Sequence, residues 1–487
     1  MLFIFTDPNQ YRLINIMIKQ LTPLSLAFIA SFTWAETPSI KPINNPIDAK
    51  EEAFLHITNQ DDREFSYTRQ ELEDNPQFTG KLLEVALSNN NQQLVEKLLS
   101  AYAQAENNDA VLVDYAKAKL AKSKDDYPTA IKHYKNILSS NPELDQIRLE
   151  LALALFRDQQ NINAKNQFNK LKSSEKISPQ IQQLIDSYLE ALEQRNEWDI
   201  SGSINYIRES NINNVSDSLY VGSWKKPKSH LPQSANGVEY SFGINKDFNL
   251  KNKHYLAFEN YTNGERYWDN DAYDDLTSRT YLGYRYKSAD TIFSLLPFYK
   301  KNWSADSDYN NHSIGIKTGV YHKINPNFSY SVSANYNKNY YPKDNDFNGY
   351  NKGLSSTLYW QRNPRQSFYI GGGRHDKNTN IKRFDSVSKS LHTGWNQEWN
   401  RGVSSRLGLG YTQTEYGDMA KYGGLIPLGK ARKDNIYTSN VILWKRDWQL
   451  FGITPKLNIS YKKQISNLPD VYSYDKTNAN IVFEKSF

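Results

Sequence analysis

The most constraining feature of this sequence is a period of two that sets in at Trp198 and runs to the C-terminus. Phe328, Tyr330, Val332, Ala334 and Tyr336 alternate with Ser329, Ser331, Ser333, Asn335 and Asn337. Ile314, Ile316, Thr318 and Val320 oppose Ser313, Gly315, Lys317 and Gly319, and Val238, Tyr240, Phe242 and Ile244 oppose Glu239, Ser241, Gly243 and Asn245. Successive side chains of a strand point to opposite faces, so each segment has one apolar and one polar face. A soluble sandwich alternates in the same way, and only the connections separate the two. Short turns rich in Asn, Pro or Gly lie at 249–253, 288–290, 325–327, 363–365 and 400–402. Long polar stretches lie between them, at 211–235, 263–275, 304–310, 342–350, 377–385, 417–432 and 464–471. Short and long connections alternate strictly, as turns and outer loops do in a transmembrane β-barrel. Seven long loops predict fourteen antiparallel strands with both barrel ends on one side. The strands fall near 198–210, 236–248, 254–262, 277–287, 291–303, 311–323, 328–341, 352–362, 366–376, 386–399, 403–416, 434–445, 449–463 and 473–487.

Composition agrees once it is located along the chain. The mean hydropathy of −0.74 excludes a bundle of membrane helices but not a barrel, in which half of every strand is polar. Nine of the ten Trp and 27 of the 34 Tyr lie at or after Trp198. Trp198, Trp303, Trp360, Trp395, Trp399 and Trp444 fall near strand ends, where interfacial girdles place amphipathic rings. The chain closes on Phe487, with Phe483, Ile481 and Ala479 on one face of the last strand. That ending resembles the signal read by the bacterial barrel-assembly machinery, with Lys485 interrupting the stripe.

Residues 51–195 have a different chemistry and a helical period. They and the short segment before them, 36–195, carry a net charge of −6, against +11 for 196–487. Ala118 maps to Ala152, Ala130 to Ala164, Tyr134 to Phe168 and Ile137 to Leu171, a 34-residue self-similarity. Small residues at these places let two antiparallel helices approach, and the aromatic fills the gap against the next pair. This resembles a tetratricopeptide repeat, in two clear copies at 111–144 and 145–178, with a degenerate copy near 79–106 and a capping helix at 179–196. The fold class expected is therefore α+β multidomain, with an all-α tetratricopeptide-like repeat domain ahead of a fourteen-stranded barrel. Such a stack presents a concave surface for a peptide; a structural spacer is the alternative.

The N-terminus has the pattern of an address. A short start at Met17 with Lys19, the apolar run 21–34 and Ala35 before Glu36 describe a secretory signal peptide over residues 1–35, with Met17 as the expected true start. A Pro-punctuated linker with Pro38, Pro42 and Pro46 follows at 36–50.

No local motif carries chemistry. Zero cysteine removes disulfides, thiolate metal sites and thiol nucleophiles. The eight His show no ligand spacing, so neither cofactor nor metal is expected. Arg374-His375-Asp376 lacks the downstream Asn of a kinase loop and is read as a turn next to a loop. Nucleic-acid binding does not fit a chain behind a signal peptide. Arg279, Arg285, Lys317, Arg406, Lys456 and Lys462 fall on the presumed interior side of their strands, and Lys225, Lys226 and Lys228 cluster in the first long loop. Two explanations stand for these cations: a basic conduit or lipopolysaccharide-facing rim, or ordinary interior solvation. Interior glycines (Gly243, Gly283, Gly315, Gly319, Gly371, Gly373, Gly408, Gly410) fit either curvature or clearance for a passing chain.

The combination of repeats and barrel, together with Asn211-Ile212-Asn213-Asn214, Trp399-Asn400-Arg401-Gly402, Gly408-Leu409-Gly410-Tyr411, Asp434-Asn435-Ile436-Tyr437, Gly452-Ile453-Thr454-Pro455 and the closing 483–487 segment, resembles the surface lipoprotein assembly modulators. The resemblance covers essentially all of the expected mature chain and implies delivery of surface lipoproteins, or of secreted haem-capturing proteins, across the outer membrane. A fourteen-stranded lumen admits an extended or hairpin chain and no folded domain, so the client is expected unfolded, held by periplasmic chaperones. An acylated client must also move its lipid between leaflets. The seam between the first and last strands is the expected place, with Gly202 as a weak point in the first strand and Ile481 and Phe483 on the last. An exopolysaccharide exporter or a solute porin with an accessory domain are the alternatives.

Overall fold

The computed structural model describes residues 69–174, 177–305, 310–448 and 453–486. The signal peptide, the start at Met17, the linker and Phe487 lie outside the described residues. Among the described residues, eight helices form the first domain: α1 (Arg69–Asp74), α2 (Pro76–Ser88), α3 (Gln92–Tyr102), α4 (Ala110–Ser123), α5 (Tyr127–Ser140), α6 (Asp145–Arg157), α7 (Asn161–Lys172) and α8 (Pro179–Gln194). Their starts are written in the sequence. Side chains of Asn75, Asn91, Asp109, Asp126 and Ser178 accept from amides of the first turn, and Pro76, Pro128 and Pro179 occupy that turn, where no amide is missed. Asn90, Asp125 and Gln159 take positive φ between the helices of each pair (49°, 58° and 59°). This left-handed turn recurs in all three pairs, the degenerate one included. Ala118, Ala130, Ala152 and Ala164 are wholly buried, as are Tyr134 and Phe168. Phe168 stacks on Tyr188 of α8 (5.2 Å, 12°), and Tyr188 meets Phe156 edge-on (4.8 Å), so α8 closes the array.

The second domain begins with β1 (Asp199–Glu209), β2 (Tyr220–Val221) and β3 (Trp224–Lys225). It continues with β4 (Ala235–Lys251), β5 (His254–Tyr267), β6 (Asp275–Lys287), β7 (Thr291–Ser304), β8 (Asn311–Lys323), β9 (Phe328–Tyr340) and β10 (Gly349–Asn363). It ends with β11 (Gln366–Thr379), β12 (Ser386–Glu398), β13 (Val403–Tyr422), β14 (Ile426–Lys445), β15 (Thr454–Ser466), the one-turn α9 (Pro469–Tyr472) and β16 (Tyr474–Ser486). All but the two-residue β2 and β3 pair antiparallel in one closed barrel of fourteen strands, with β1 bonded to both β4 and β16. The end that holds the short turns and both barrel termini is called inner here, the end with the long connections outer. Every strand shows the pleat: Leu282, Ile314, Leu354, Ile370 and Leu391 stand on the outside, while Ser313, Ser388 and Ser390 are buried inside.

Rings line the inner rim outside the barrel. Phe328, Trp360, Phe368 and Trp395 stack in succession at 6.2, 5.2 and 6.4 Å, and Trp399 meets Trp395 edge-on at 5.7 Å. Three expectations need correction. Trp444 does not join this belt: it pairs with Lys456 and shares its interior face. The stretch 417–432 is not a loop, because β13 and β14 continue through most of it to a turn at Gly423 and Gly424, both at positive φ. Arg374-His375-Asp376 lies inside β11, opposite 352–354 of β10, and is no turn.

Candidate functional site

All six predicted basic residues lie on the interior face, but they form separate clusters. Arg279 sits directly opposite Lys300, its Nη1 3.3 Å from the Tyr281 hydroxyl, and Lys317 Nζ lies 5.5 Å over the Tyr281 ring. Arg285, nearer the inner end, is held between Asp247 (2.7 Å) and Glu259, and Lys287 also reaches Asp247. Arg406 donates to Asn396 Oδ1 at 2.8 Å. Lys456 pairs with Glu484, and Lys462 donates to the Tyr474 hydroxyl. These cations are embedded in interior networks and do not make one continuous basic lane. The interior glycines divide: at Gly319 and Gly408 a Cβ would meet nothing closer than 3.5 Å, but others are hemmed in. A Cβ at Gly315 would come within 2.5 Å of Asn337 Cβ, and one at Gly371 within 2.6 Å of His392 Nε2, so neighbouring side chains fill that space.

Carboxylates gather toward the outer ends of β4, β5 and β6. Glu239 of β4 is directly opposite Glu265 of β5, which is opposite Asp275 of β6. Glu265 accepts from the Tyr267 hydroxyl at 2.7 Å, Glu239 from Asn205 at 2.7 Å and Asp275 from Asn302 at 2.6 Å. This row meets the basic pair Lys462 and Lys476, themselves opposite each other on β15 and β16, through Glu209 of β1. Glu209 Oε2 lies 2.8 Å from Lys476 Nζ.

The outer end is tied together by its connections. Ile212 is buried against Ile207, Ala235 and Tyr267. Asn213 donates to Leu231 O (2.8 Å) and accepts from Gln233 N (3.0 Å), which folds the loop 211–235 back on itself. Ser216 N then reaches Val471 O at 3.2 Å, and Lys226 Nζ caps Ser216 O at 3.2 Å. Val221 packs with Ala420, Leu468, Val471 and Tyr472, and His230 bonds the Tyr422 hydroxyl. Loop 211–235, α9 and the β13–β14 extension therefore meet above β15 and β16. Below them Arg432 pairs with the buried Asp434 (2.7 Å) and lies 3.8 Å over Tyr472.

The seam residues split between two zones. Gly202 and Phe483 lie where β1 and β16 are paired, opposite Lys485 and Ile204 respectively, and Ile481 lies above the last pair. A Cβ at Gly202 would meet only Ser241 O, at 3.6 Å.

At the inner rim the helical domain is docked on the barrel. Asp158, 1% exposed in its side chain, forms an ion pair with Lys253 of the β4–β5 turn at 2.7 Å. Burial raises the Asp158 carboxyl above its usual value, with Lys253 and Gln160 opposing. Tyr255 donates to Gln159 O (2.6 Å), Ile162 N to Asn249 Oδ1 (3.3 Å) and Asn163 to Asn252 Oδ1 (2.8 Å). Arg195, brought down to about 10 by burial, stacks 3.6 Å over Phe156 and donates to Phe156 O at 3.0 Å. Neither this docking nor Glu209 was singled out from sequence. The inward parity of Glu209, Glu239 and Glu265 could have marked the acidic row, but no local signal pairs Asp158 with Lys253, 95 positions on.

Comparison with known proteins follows the two domains. A family model described as surface lipoprotein assembly modifier matches residues 198–487, and one for its N-terminal TPR repeats matches 65–168. A surface lipoprotein assembly modifier of Pasteurella multocida is 31% identical over 441 residues, 87% of this chain and 86% of that protein. Surface lipoprotein assembly modifier 2 of Haemophilus influenzae is 30% identical over 488 residues, 96% and 99% of the two chains. A hemophilin secretion modulator of Acinetobacter baumannii is 24% identical over 441 residues, 85% and 87%. With the closed barrel, these matches make the protein an outer-membrane protein. By sequence along both domains and by architecture, the chain belongs to the surface lipoprotein assembly modifier family.

Proposed function

We propose that this protein is an outer-membrane translocator that delivers client polypeptides, surface lipoproteins or a secreted haem-capturing protein, from the periplasm to the cell surface or medium. The observation that carries the proposal is a helical repeat stack fastened to the inner rim of the barrel by the Asp158–Lys253 pair and its surrounding hydrogen bonds, and such stacks commonly present a concave surface to peptides. A client held by the repeats is thereby delivered at the lumen's entrance. The relatives' names, lipoprotein assembly and hemophilin secretion, point the same way. The repeats would stand in the periplasm, taking unfolded clients from chaperones there, and folding outside would oppose return. Barrel-assembly machinery would insert the protein, and lipopolysaccharide would surround its outer rim. No step requires catalysis; the work is capture, passage and release. Co-expression with a candidate client tests it. Surface exposure or release of the client should appear with the full chain and vanish without it, and export unchanged in its absence would refute the proposal.

A further inference from the structure

The seam that closes the barrel is unlike every other strand pairing. Each of the other thirteen neighbouring pairs shares eleven or more residue pairs, whereas β1 and β16 share five, from Ser201 opposite Ser486 to Asn205 opposite Val482. Both strands go on past that point, β1 to Glu209 and β16 back to Tyr474. Continued register would set Tyr206 opposite Ile481 and Glu209 opposite Asn478, yet no ladder forms there. In a bilayer a backbone group without a partner is costly, which is why barrels close. Here closure passes to side chains: Glu209 takes Lys476 Nζ at 2.8 Å and Asn478 Nδ2 at 2.5 Å. Asn205 Oδ1 and Asn478 Oδ1, one on each lip, are buried without a hydrogen-bond partner. Above the gap, the Ser216–Val471 bond clasps the loops.

We propose that this outer half of the β1–β16 seam is a lateral port for the fatty acyl chains of a lipidated client, latched by Glu209. The proposal rests on the translocator function above and adds a route. The two faces of the gap differ in the way such a ligand does. Tyr206 and Ile481, with the paired Ile204 and Phe483 just below them, present exposed apolar surface outside, while Glu209, Lys476 and Asn478 stand inside. A polypeptide can remain in the polar interior. Its acyl chains cannot, because every methylene left in water is unfavourable. The outer end offers them no open way out: the buried polar groups Lys462, Gln464, Ser466 and Asp434 lie beneath the packed cluster of Val221, Ala420, Leu468, Val471 and Tyr472. Opening the seam also brings its own restoring force. Glu209 would be left with Glu239 and Glu265, and Lys476 with Lys462, so like charges favour relatching once the lipid has left.

Because the chain has no native cysteine, a chemical staple tests the port directly. Tyr206→Cys with Ile481→Cys, bridged in cells by a short bismaleimide, spans the gap. Leu358→Cys with Ile370→Cys, a directly paired position of β10 and β11, gives a staple where the ladder is complete. Heat-modifiable migration on gels confirms that each barrel is folded. Two clients are compared, an acylated one and the same protein with its acylated cysteine replaced. The expected result is loss of surface display of the acylated client only, only with the seam staple, and only after bridging. Normal display of the acylated client through the stapled seam overturns the port, and so does equal loss of both clients. Failure of the unstapled protein to export either client would instead refute the translocator function itself.

Discussion

The two domains put the same side chains to opposite use. Leu155 in the helical stack is 1% exposed, while Leu391 on the barrel is 64% exposed. Tyr134 and Phe168 are sealed between helices, whereas Phe328, Trp360 and Phe368 stack on the outward-facing surface of the inner rim. In the stack, apolar area is removed from water by neighbouring repeats, so the core runs along the array. In the barrel it is removed by lipid, and the polar atoms take the inside. Exposure alone therefore says nothing about energetic cost. The identity of the solvent decides it.

The largest expected effect is in the stack. Phe168→Ala empties the space against Tyr188 and Phe156, and large-to-small changes of a buried aromatic cost about 3–5 kcal/mol. Unfolding of the helical signal in the full chain should shift to lower denaturant, while the barrel's heat-modifiable migration stays unchanged. Joint loss of both would show that the domains fold as one unit. A pair of surface positions sharpens the contrast next. Val85 on α2 and Ile370 on β11 are 55% and 60% exposed. Val85→Arg should change stability by less than about 0.5 kcal/mol, as water-facing substitutions do. Ile370→Arg should cost about 2–4 kcal/mol near the bilayer midplane, read from urea unfolding in lipid vesicles.

The sequence was legible where a periodic rule applies and blank where distant residues meet. Strand number, pairing order and nearly all strand positions followed from alternation and from the spacing of Asn, Pro and Gly. Ala118, Ala130, Tyr134 and their partners 34 positions on could be placed because repeats impose translation symmetry. The β13–β14 extension was missed although Gly423-Gly424 is a hairpin signal, because the polar run around it reads as an outer loop. Arg374-His375-Asp376 was misplaced for a similar reason: three polar residues in a row look like a turn, yet in a barrel they alternate between two permitted faces. The inward folding of loop 211–235, the short ladder of β1 with β16 and the Glu209 bridge depend on closure of the barrel, 267 positions apart along the chain for Glu209 and Lys476. No local pattern records such a meeting.

The docking of the two domains yields a smaller effect. Lys253→Ala leaves the Asp158 carboxyl buried beside Gln160 alone. An unsatisfied buried group costs about 1–3 kcal/mol, and here the cost falls on the interface. Limited proteolysis near 195–198 should accelerate, with the helical and barrel transitions each unchanged. Unaltered cleavage would mean that Tyr255, Asn163 and Ile162 hold the junction without the ion pair.

The smallest effect separates the domains by pH. Glu150 lies in the stack with Lys122 at 3.0 Å, Lys119 at 3.3 Å and the Tyr134 hydroxyl at 3.4 Å. Burial alone would raise its carboxyl, but the two lysines outweigh burial and hold it below the usual range. A carboxyl held below its unfolded value near 4.3 contributes stability that is fully present above that pH. The contribution is lost as pH falls through the lower folded value, so the helical transition should weaken in acid. Glu150→Gln should flatten that slope. Lys119→Met with Lys122→Met should reverse it: burial then dominates, the folded value rises above the unfolded one, and stability is lost as pH rises. Tyr115, pushed up to about 12 by burial and by Glu150, stays neutral throughout and does not confuse the titration. Denaturant titrations of the helical signal at a series of pH values read all three slopes. A double variant that kept the wild-type slope would show that the lysines do not set the ionisation of Glu150.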